Sequence, residues 1–428
     1  VTPFRIADIA RLRHAGRRLG ITSVCTAHPL AIEAALLQGL ADGAPVLIEA
    51  TCNQVNQDGG YTGLTPEGFR AFVEGIAARV GFDAAQLIFG GDHLGPNPWR
   101  ALPAADAMDR AEAMIAAYAA AGFSKLHLDT SMGCRGEPAA LPDALTAARA
   151  ARLAGAAERA ARVAGLPPPV YVIGTEVPVP GGATHALDHL EVTRPEAALA
   201  TVEVHRRAFA DAGLGDAFGR AIGVVVQPGV EFGHADVVPY DPAAARGLAA
   251  ALRGMPQFVF EAHSTDYQPA AALKALVDDG FAILKVGPGL TFALREALYG
   301  LDHVAEVLRP DARAEPLRVA MEALMLAEPD GWRRYYDGEG AALAAQRHFS
   351  YSDRIRYYWP HPRAQAAVDA LMARLGDAEI PATLVSQYLP RLWEGVRGGR
   401  VRPVARDLAV ASVRVALDPY SAACSASS

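Results

Sequence analysis

The sequence predicts a TIM-type (β/α)8 barrel followed by a C-terminal helical extension. An apolar run, a polar loop and an alanine-rich amphipathic segment recur eight times between residues 21 and 306. Acids and imidazoles collect where the apolar runs end, and in such barrels the carboxyl ends of the strands carry the chemistry. The repeat then stops. We assign residues 1–306 to the barrel and 307–428 to the extension. A doubly wound open sheet is the rival architecture. It would not normally reach eight regular units, and the chain has no GxGxxG dinucleotide loop.

In chain order, residues 4–19 read as a leading helix. Strands are expected at 21–26, 46–50, 86–91, 124–129, 170–176, 222–227, 256–261 and 281–286. Each is short, apolar and bounded by turn residues. The intervening helices fall at 29–41, 66–80, 103–120, 143–163, 195–212, 242–254, 267–278 and 290–306, with Pro66 after Thr65 and Gly43 after Asp42 as start and stop signals. Segments 314–327, 363–375 and 402–417 read as helices of the extension. Between them runs the aromatic, arginine-rich stretch from His348 to Trp359, which suits a lid, a subunit contact or packing on the barrel. The stretch from Ser421 onward reads as a frayed tail.

The most informative stretch is Gly90-Gly91-Asp92-His93-Leu94-Gly95-Pro96-Asn97-Pro98-Trp99. A strand that ends on Asp-His, where apolar residues would be easier, presents chemistry there; the bland reading is a pair that merely caps a loop. The other strand ends supply His28, Glu49, Asn53, His127, Asp129, Glu176, Gln227, Glu231, His234, Glu261, His263, Asp266 and Lys285. Buried charges are costly unless paired or metal-bound, so this many on adjacent strands points to a polar, ligand-filled mouth.

His93 and His263 lie across that mouth and are the leading metal ligands, with Glu231 or His234 as the third; imidazole suits Zn, Co, Ni or Mn. Histidines satisfied by carboxylates without metal are the competing reading. Asp92, beside a ligand, can take a substrate hydroxyl proton. Glu176, in a glycine- and proline-rich loop, reads as a second acid/base or an orienting group, and Asp129 and Asp266 join the catalytic candidates. Lys285 raises Schiff-base chemistry as a rival, which two histidines and an aspartate outweigh. Gly287 and Gly289, at the start of the helix after the last strand, mark the usual barrel position for a phosphate. His28, Glu49, Asn53, Gln227 and Lys285 complete the substrate-binding candidates, although His28 reads equally as a helix cap. His185 and His189 lack an HExxH context, and Cys52 and Cys134 read as packing.

Composition narrows the classes. A formal charge of −7, with 40 Lys+Arg against 47 Asp+Glu, leaves no basic footprint for nucleic acid. Four cysteines without CxxC or zinc-knuckle spacing suggest a reduced, cytoplasmic protein. No leader and no apolar run of spanning length suggest neither secretion nor a membrane span.

Several strings carry a family resemblance. They are Thr26-Ala27-His28-Pro29, the run Glu49 to Gln57, Gly91-Asp92-His93-Leu94-Gly95-Pro96, His127-Leu128-Asp129 and Thr175 to Gly182. Gln227 to Phe232, Glu261 to Gln268 and Lys285-Val286-Gly287-Pro288 continue it. Together they resemble the GatZ/KbaZ family of tagatose-bisphosphate aldolase accessory subunits, from about residue 4 nearly to the end. The resemblance implies a fold like that of class II, metal-dependent ketose-bisphosphate aldolases. It implies a non-catalytic subunit supporting a separate catalytic aldolase in ketose or galactitol-type metabolism, in an oligomeric assembly. It also implies an alternative: a metal-dependent ketose 4-epimerase acting on D-fructose and D-tagatose, free or phosphorylated, by retro-aldol/aldol chemistry. On this resemblance His93 and His263 match metal histidines and Asp92 the proton-handling aspartate. Gln227-Pro228-Gly229 departs from the aldolase histidine on strand 6, with Glu231 nearest in a coordinating role. Ser264-Thr265-Asp266 replaces the small-residue phosphate loop.

Overall fold

Alternation of side chains along short apolar strands decides how this chain closes. The structure is a computed structural model and describes residues 4–174 and 190–425. Its barrel strands are β1 Ile21–Cys25, β2 Val46–Thr51, β3 Leu87–Leu94, β4 Lys125–Leu128, β5 Val170–Ile173, β6 Ala221–Val225, β7 Val259–Ala262 and β8 Phe281–Val286. They pair in parallel in the closed order β1-β8-β7-β6-β5-β4-β3-β2, with Ile21 opposite Ile283 and Val24 opposite Val286 at the closing seam.

The ring of helices is α1 Pro29–Asp42, α2 Pro66–Val80, α3 Ala104–Ala120, α4 Asp143–Val163, α5 Pro195–Asp211, α6 Pro242–Ala251, α7 Ala270–Asp278 and α8 Pro288–Leu308. Proline opens α1, α2, α5, α6 and α8, where its missing N–H costs nothing. Thr65 and Asp241 cap α2 and α6 by accepting the Gly68 and Ala243 amides.

The inside of the barrel is layered by residue parity. Ile21, Leu47, Val170, Ile222, Val259 and Ile283 form an apolar floor, plugged by Ile6, Ile9 and Ala10 of the leading segment. Burying Ile9 completely contributes about 1.5–3 kcal/mol. Two residues further along the same strands stand Glu49, Glu261 and Lys285, so the next layer is ionic.

After α8 come α9 Leu317–Ala327, α10 Gly340–Phe349, α11 Pro362–Leu375, α12 Ala382–Tyr388 and α13 Ala405–Cys424. Helix α13 lies against α1, α7 and α8. The Gly20 amide donates to the Cys424 carbonyl at 3.0 Å, and Arg406 pairs with Glu33.

Several boundaries differ from the sequence reading. The leading helix is a 3-10 turn, Ile6–Asp8, running into Ile9–His14, and ends because Gly16 turns the chain at φ +87°. Strand β3 continues through Asp92 and His93 to Leu94 instead of stopping at 91. Helix α13 passes Pro419 and takes in Ser421 to Cys424, which sequence alone reads as frayed. Helices α10 and α12 and a small ribbon, Glu231–Phe232 with Val237–Val238, were not anticipated.

Candidate metal centre

Successive residues of a strand point to opposite faces, so Asp92 and His93 should not both face the barrel axis. A bulge makes it possible. Gly91 pairs with Leu126 and Leu94 with Leu128, so Asp92 and His93 together stand opposite the single residue His127. His93 takes φ +48°, a left-handed conformation that a side-chain-bearing residue holds only when its surroundings impose it. Glycines flank the bulge for steric reasons. A Cβ on Gly90 would fall 2.5 Å from Glu49 Oε1, and one on Gly95 would fall 1.7 Å from the Asp129 carbonyl oxygen.

Three imidazoles meet above the bulge. Ring centroids lie 5.0 Å apart for His93 and His127, 4.8 Å for His93 and His263, and 5.3 Å for His127 and His263. With Asp92 they offer four donor atoms, one each, all within 4.8 Å of one another and all buried. Each ring is oriented by an acceptor behind it: His93 Nδ1 on Asp129 Oδ2 at 2.8 Å, His127 Nε2 on the Gly174 carbonyl at 3.0 Å, and His263 Nε2 on Glu261 Oε1 at 3.0 Å. Such outer partners fix ring and tautomer in metal-binding histidines.

The donor set fits a divalent ion on two further grounds. Because the Gly174 carbonyl can only accept, His127 Nε2 carries a proton. Its Nδ1 is then an acceptor, taking the His93 amide at 3.2 Å while facing Asp92 Oδ1 at 3.0 Å, a contact between two acceptors that a cation beside them would relieve. Burial drives His263 down to about 4, which keeps it in the neutral form that ligates metal. Burial would also lower His93, but Asp92 and Asp129 outweigh it and raise this imidazole above its ordinary value. Burial would raise the Asp92 carboxyl; the charges of His93 and Lys285 and the His127 hydrogen bond hold it well below the usual carboxylate range. The cluster therefore attracts positive charge.

The ionic layer lies directly beneath. Lys125 Nζ is 2.6 Å from Glu49 Oε1 and 2.7 Å from Glu261 Oε2. Lys285 pairs with Glu49 and lies 2.8 Å from Asp92 Oδ1. Burial would lower Lys285, but Asp92 and its other anionic neighbours raise it well above the ordinary lysine value, so it is an ammonium and not the neutral amine a Schiff base requires.

The remaining sequence-predicted residues are spread around this core. His28 caps α1, accepting the Leu30 amide at 3.2 Å, with its ring edge against Trp359. Asn53 lines the mouth. Gln227 Oε1 accepts the Gly229 and Val230 amides within its own loop. Glu231 stands outside the four-residue cluster; its Oε1 accepts the Phe232 amide, and burial lifts its carboxyl to about 7. His234 turns away to Ser350 Oγ at 3.1 Å and the Tyr336 ring. Asp266 accepts the amides of Gly287 and Gly289 at 3.0 and 2.7 Å, and burial raises it to about 6. Glu176, His185 and His189 lie outside the described residues. His127 is the member of the cluster that the ligand assignment missed; its signal was the shared face of Lys125, His127 and Asp129.

The centre opens into a cavity of about 910 Å³, part of whose wall comes from the extension, including Arg334, Arg354, Arg356 and Tyr357. In the stretch from His348 to Trp359 most aromatics face inward: Tyr358 and Trp359 are buried, while Phe349 is exposed.

Fold and centre together define a TIM-barrel protein with a buried imidazole–carboxylate site able to take a metal ion. Residues 6–425 match the profile of D-tagatose-1,6-bisphosphate aldolase subunit GatZ/KbaZ-like proteins. A D-tagatose 6-phosphate 4-epimerase of Agrobacterium fabrum is 55% identical over 418 residues, 98% of either chain. A solved structure from Sinorhizobium meliloti 1021, described as a probable tagatose 6 phosphate kinase, has 60% identity and a TM-score of 0.89, covering 95% of this chain and 100% of that one. The chain belongs to the GatZ/KbaZ-like family of carbohydrate metabolism.

The comparisons correct one expectation. The reading of this chain as a non-catalytic accessory subunit is overturned, because a relative matching it end to end is named for its own catalytic activity, and the barrel mouth holds a catalytic-type cluster that a scaffold has no need for. Among the described residues no helix is long and apolar enough to cross a membrane.

Proposed function

We propose that this chain is a metal-dependent ketose 4-epimerase whose substrate is a ketose phosphate of the D-tagatose 6-phosphate class. The observation that carries the reading is the convergence of Asp92, His93, His127 and His263 in one cluster, with Asp92, His93 and His263 lining the cavity at the barrel mouth. The names of both relatives share the sugar phosphate but differ in activity. The donor set favours the epimerase. Imidazole-rich centres suit Zn, Co, Ni or Mn and carbonyl chemistry, whereas phosphoryl transfer gathers Mg²⁺ on carboxylates and phosphates.

His93 and His263 hold the ion in this reading, with His127 and Asp92 beside it. A divalent ion there supplies Lewis-acid polarisation of the ketose C2 carbonyl and C3 hydroxyl. Asp92, kept ionised by His93 and Lys285, takes the proton of the C4 hydroxyl. Breaking the C3–C4 bond leaves its electron pair on the C1–C3 fragment as an enediolate and turns C4 into an aldehyde carbon. Rotation of the aldehyde presents its other face. When C3 attacks again, Asp92 returns the proton to the new C4 alkoxide, and C4 is inverted with no net loss of atoms. Lys285 keeps Asp92 in place, and Asp129 and Glu261 keep the two rings in place. Glu176 is proposed as an auxiliary acid/base, and Glu231 as a nearby carboxyl able to trade a proton near neutrality. Four cysteines, none in a disulfide, are in keeping with a reducing compartment such as the cytoplasm.

The test is direct. Metal-loaded protein, alone, is incubated with D-tagatose 6-phosphate, D-fructose 6-phosphate and the free sugars, and products are resolved by chromatography. Interconversion of the C4 epimers without a partner is expected. Asp92→Asn should lower turnover by roughly 10²–10⁴-fold with metal retained, and His263→Ala should lose metal and activity together. Absence of any epimer, with metal demonstrably bound, would falsify the reading.

A further inference from the structure

In a barrel of this kind a phosphate ordinarily sits on the amides that open the helix after the last strand. Here that seat is taken. The Gly287 and Gly289 amides both donate to Asp266 Oδ1, so a carboxylate of the chain itself stands where the anion would bind. A phosphate dianion placed there would meet the Asp266 charge at close range.

Positive charge gathers instead on the wall that the extension contributes to the same cavity. Arg354 Nη1 and Arg356 Nη2 converge on one phenol, Tyr357 Oη, at 3.2 and 3.3 Å. The Arg354 guanidinium lies 3.7 Å from the Tyr335 ring centroid, and that of Arg356 lies 4.7 Å from the Tyr357 ring. Arg356 also donates to the Ser352 and Asp353 carbonyls, so its hydrogen-bond acceptors are neutral. It makes no ion pair among the described residues, although its field reaches Asp266 and Asp353. Ring stacking fixes the planes of the two guanidiniums held on this hydroxyl. A tetrahedral dianion meets such planes through planar, charge-assisted contacts. Burial would raise the Tyr357 hydroxyl, yet the two arginines, Arg356 foremost, outweigh it and lower it. Arg334 opens onto the same cavity from an exposed position.

We propose that Arg354, Arg356 and Arg334 form the seat for the phosphate monoester of a phosphorylated ketose, on the wall contributed by the extension rather than on the amides that open α8. The proposal rests on the reading of the substrate as a ketose phosphate, and it makes the extension a determinant of specificity.

The test compares wild type with Arg356→Gln, Arg356→Lys and the exposed Arg334→Gln, each checked for fold by its thermal transition. In kinetics with D-tagatose 6-phosphate, Arg356→Gln is expected to raise KM about 10- to 100-fold with a much smaller change in kcat, and Arg356→Lys to recover part of the loss. The ratio of kcat/KM for the phosphate ester over free D-tagatose should fall with it. Calorimetric titration with inorganic phosphate reads the same seat without turnover and should show the same loss. Phosphate affinity unchanged in Arg356→Gln and in Arg334→Gln, both folded, overturns the seat even in an active epimerase. A chain inert toward all the sugars that nevertheless loses phosphate affinity in these variants upholds the seat and sinks the epimerase reading.

Discussion

His93 carries three demands at once: a left-handed backbone at φ +48°, a ring fixed by Asp129 at 2.8 Å, and an amide that donates to His127 Nδ1 at 3.2 Å. Strain of this kind costs on the order of 1–3 kcal/mol and survives only where neighbours over-determine it. Asp129 is the neighbour with the clearest test. Asp129→Asn preserves shape but removes the charge behind the ring, so metal affinity should fall about 10- to 100-fold while the fold is kept. Competition with a chromogenic chelator measures it; unchanged affinity would remove Asp129 from the centre. Much of this was legible in the sequence. Asp92-His93 at a strand end and Glu261-Ala262-His263 two strands from closure announce themselves by residue type and parity. That Asp92 and His93 both face inward was not legible, because it depends on a bulge set by pairing with β4.

At the scale of elements, the centre exists because β3 and β4 approach closely at their carboxyl ends. Gly95 is the contact point: a Cβ there would fall 1.7 Å from the Asp129 carbonyl oxygen, which is main chain and has little room to move. Gly95→Ala should therefore push the two strand ends apart, costing about 3 kcal/mol or more, in the range of overpacked cores. The loss should appear as a lower thermal midpoint and, because Asp129 moves with its carbonyl, as weaker metal retention. A variant with the wild-type midpoint would show that the strands tolerate the side chain. Helix boundaries followed from caps and prolines where these were strong, as in α1 and α2. They failed for α13, whose passage through Pro419 depends on packing against α1, α7 and α8 rather than on local propensity.

For the whole molecule, acid sensitivity can be worked out from a residue far from the centre. His348 sits between Tyr299 Oη at 2.7 Å and Glu322 Oε2 at 3.0 Å; the carboxylate accepts from Nε2, so Nδ1 accepts from the phenol. Burial lowers its pKa to about 4, while Arg347 keeps Glu322 below its usual value and ionised. A histidine depressed in the fold adds stability that is complete above its unfolded pKa, near 6.5, and is lost as pH falls through about 4. The gap in thermal midpoint between wild type and His348→Gln should thus be widest above pH 6.5 and narrow steadily towards pH 4. A gap independent of pH would mean that the histidine titrates alike in both states. Contacts such as this, and the arginine wall above the centre, join segments that local patterns cannot relate. The sequence showed an aromatic, arginine-rich stretch, but only the fold shows that it faces a cavity lined by Asp92 and His263.

Helix α13 also sets an order of events in time. Its residues follow Val286, the end of the last barrel strand, by roughly 120 positions, which at the usual speed of protein synthesis is about 6 to 24 seconds of translation. Through that interval every strand of the barrel has been made, yet the flank of β1 beside Gly20 and the grooves of α1, α7 and α8 have no covering helix. A nascent chain of this protein thus carries an apolar seam along its side after its catalytic-type residues have already been synthesised. The ribosome finishes the pocket's chemistry before it finishes the wall that keeps the barrel dry.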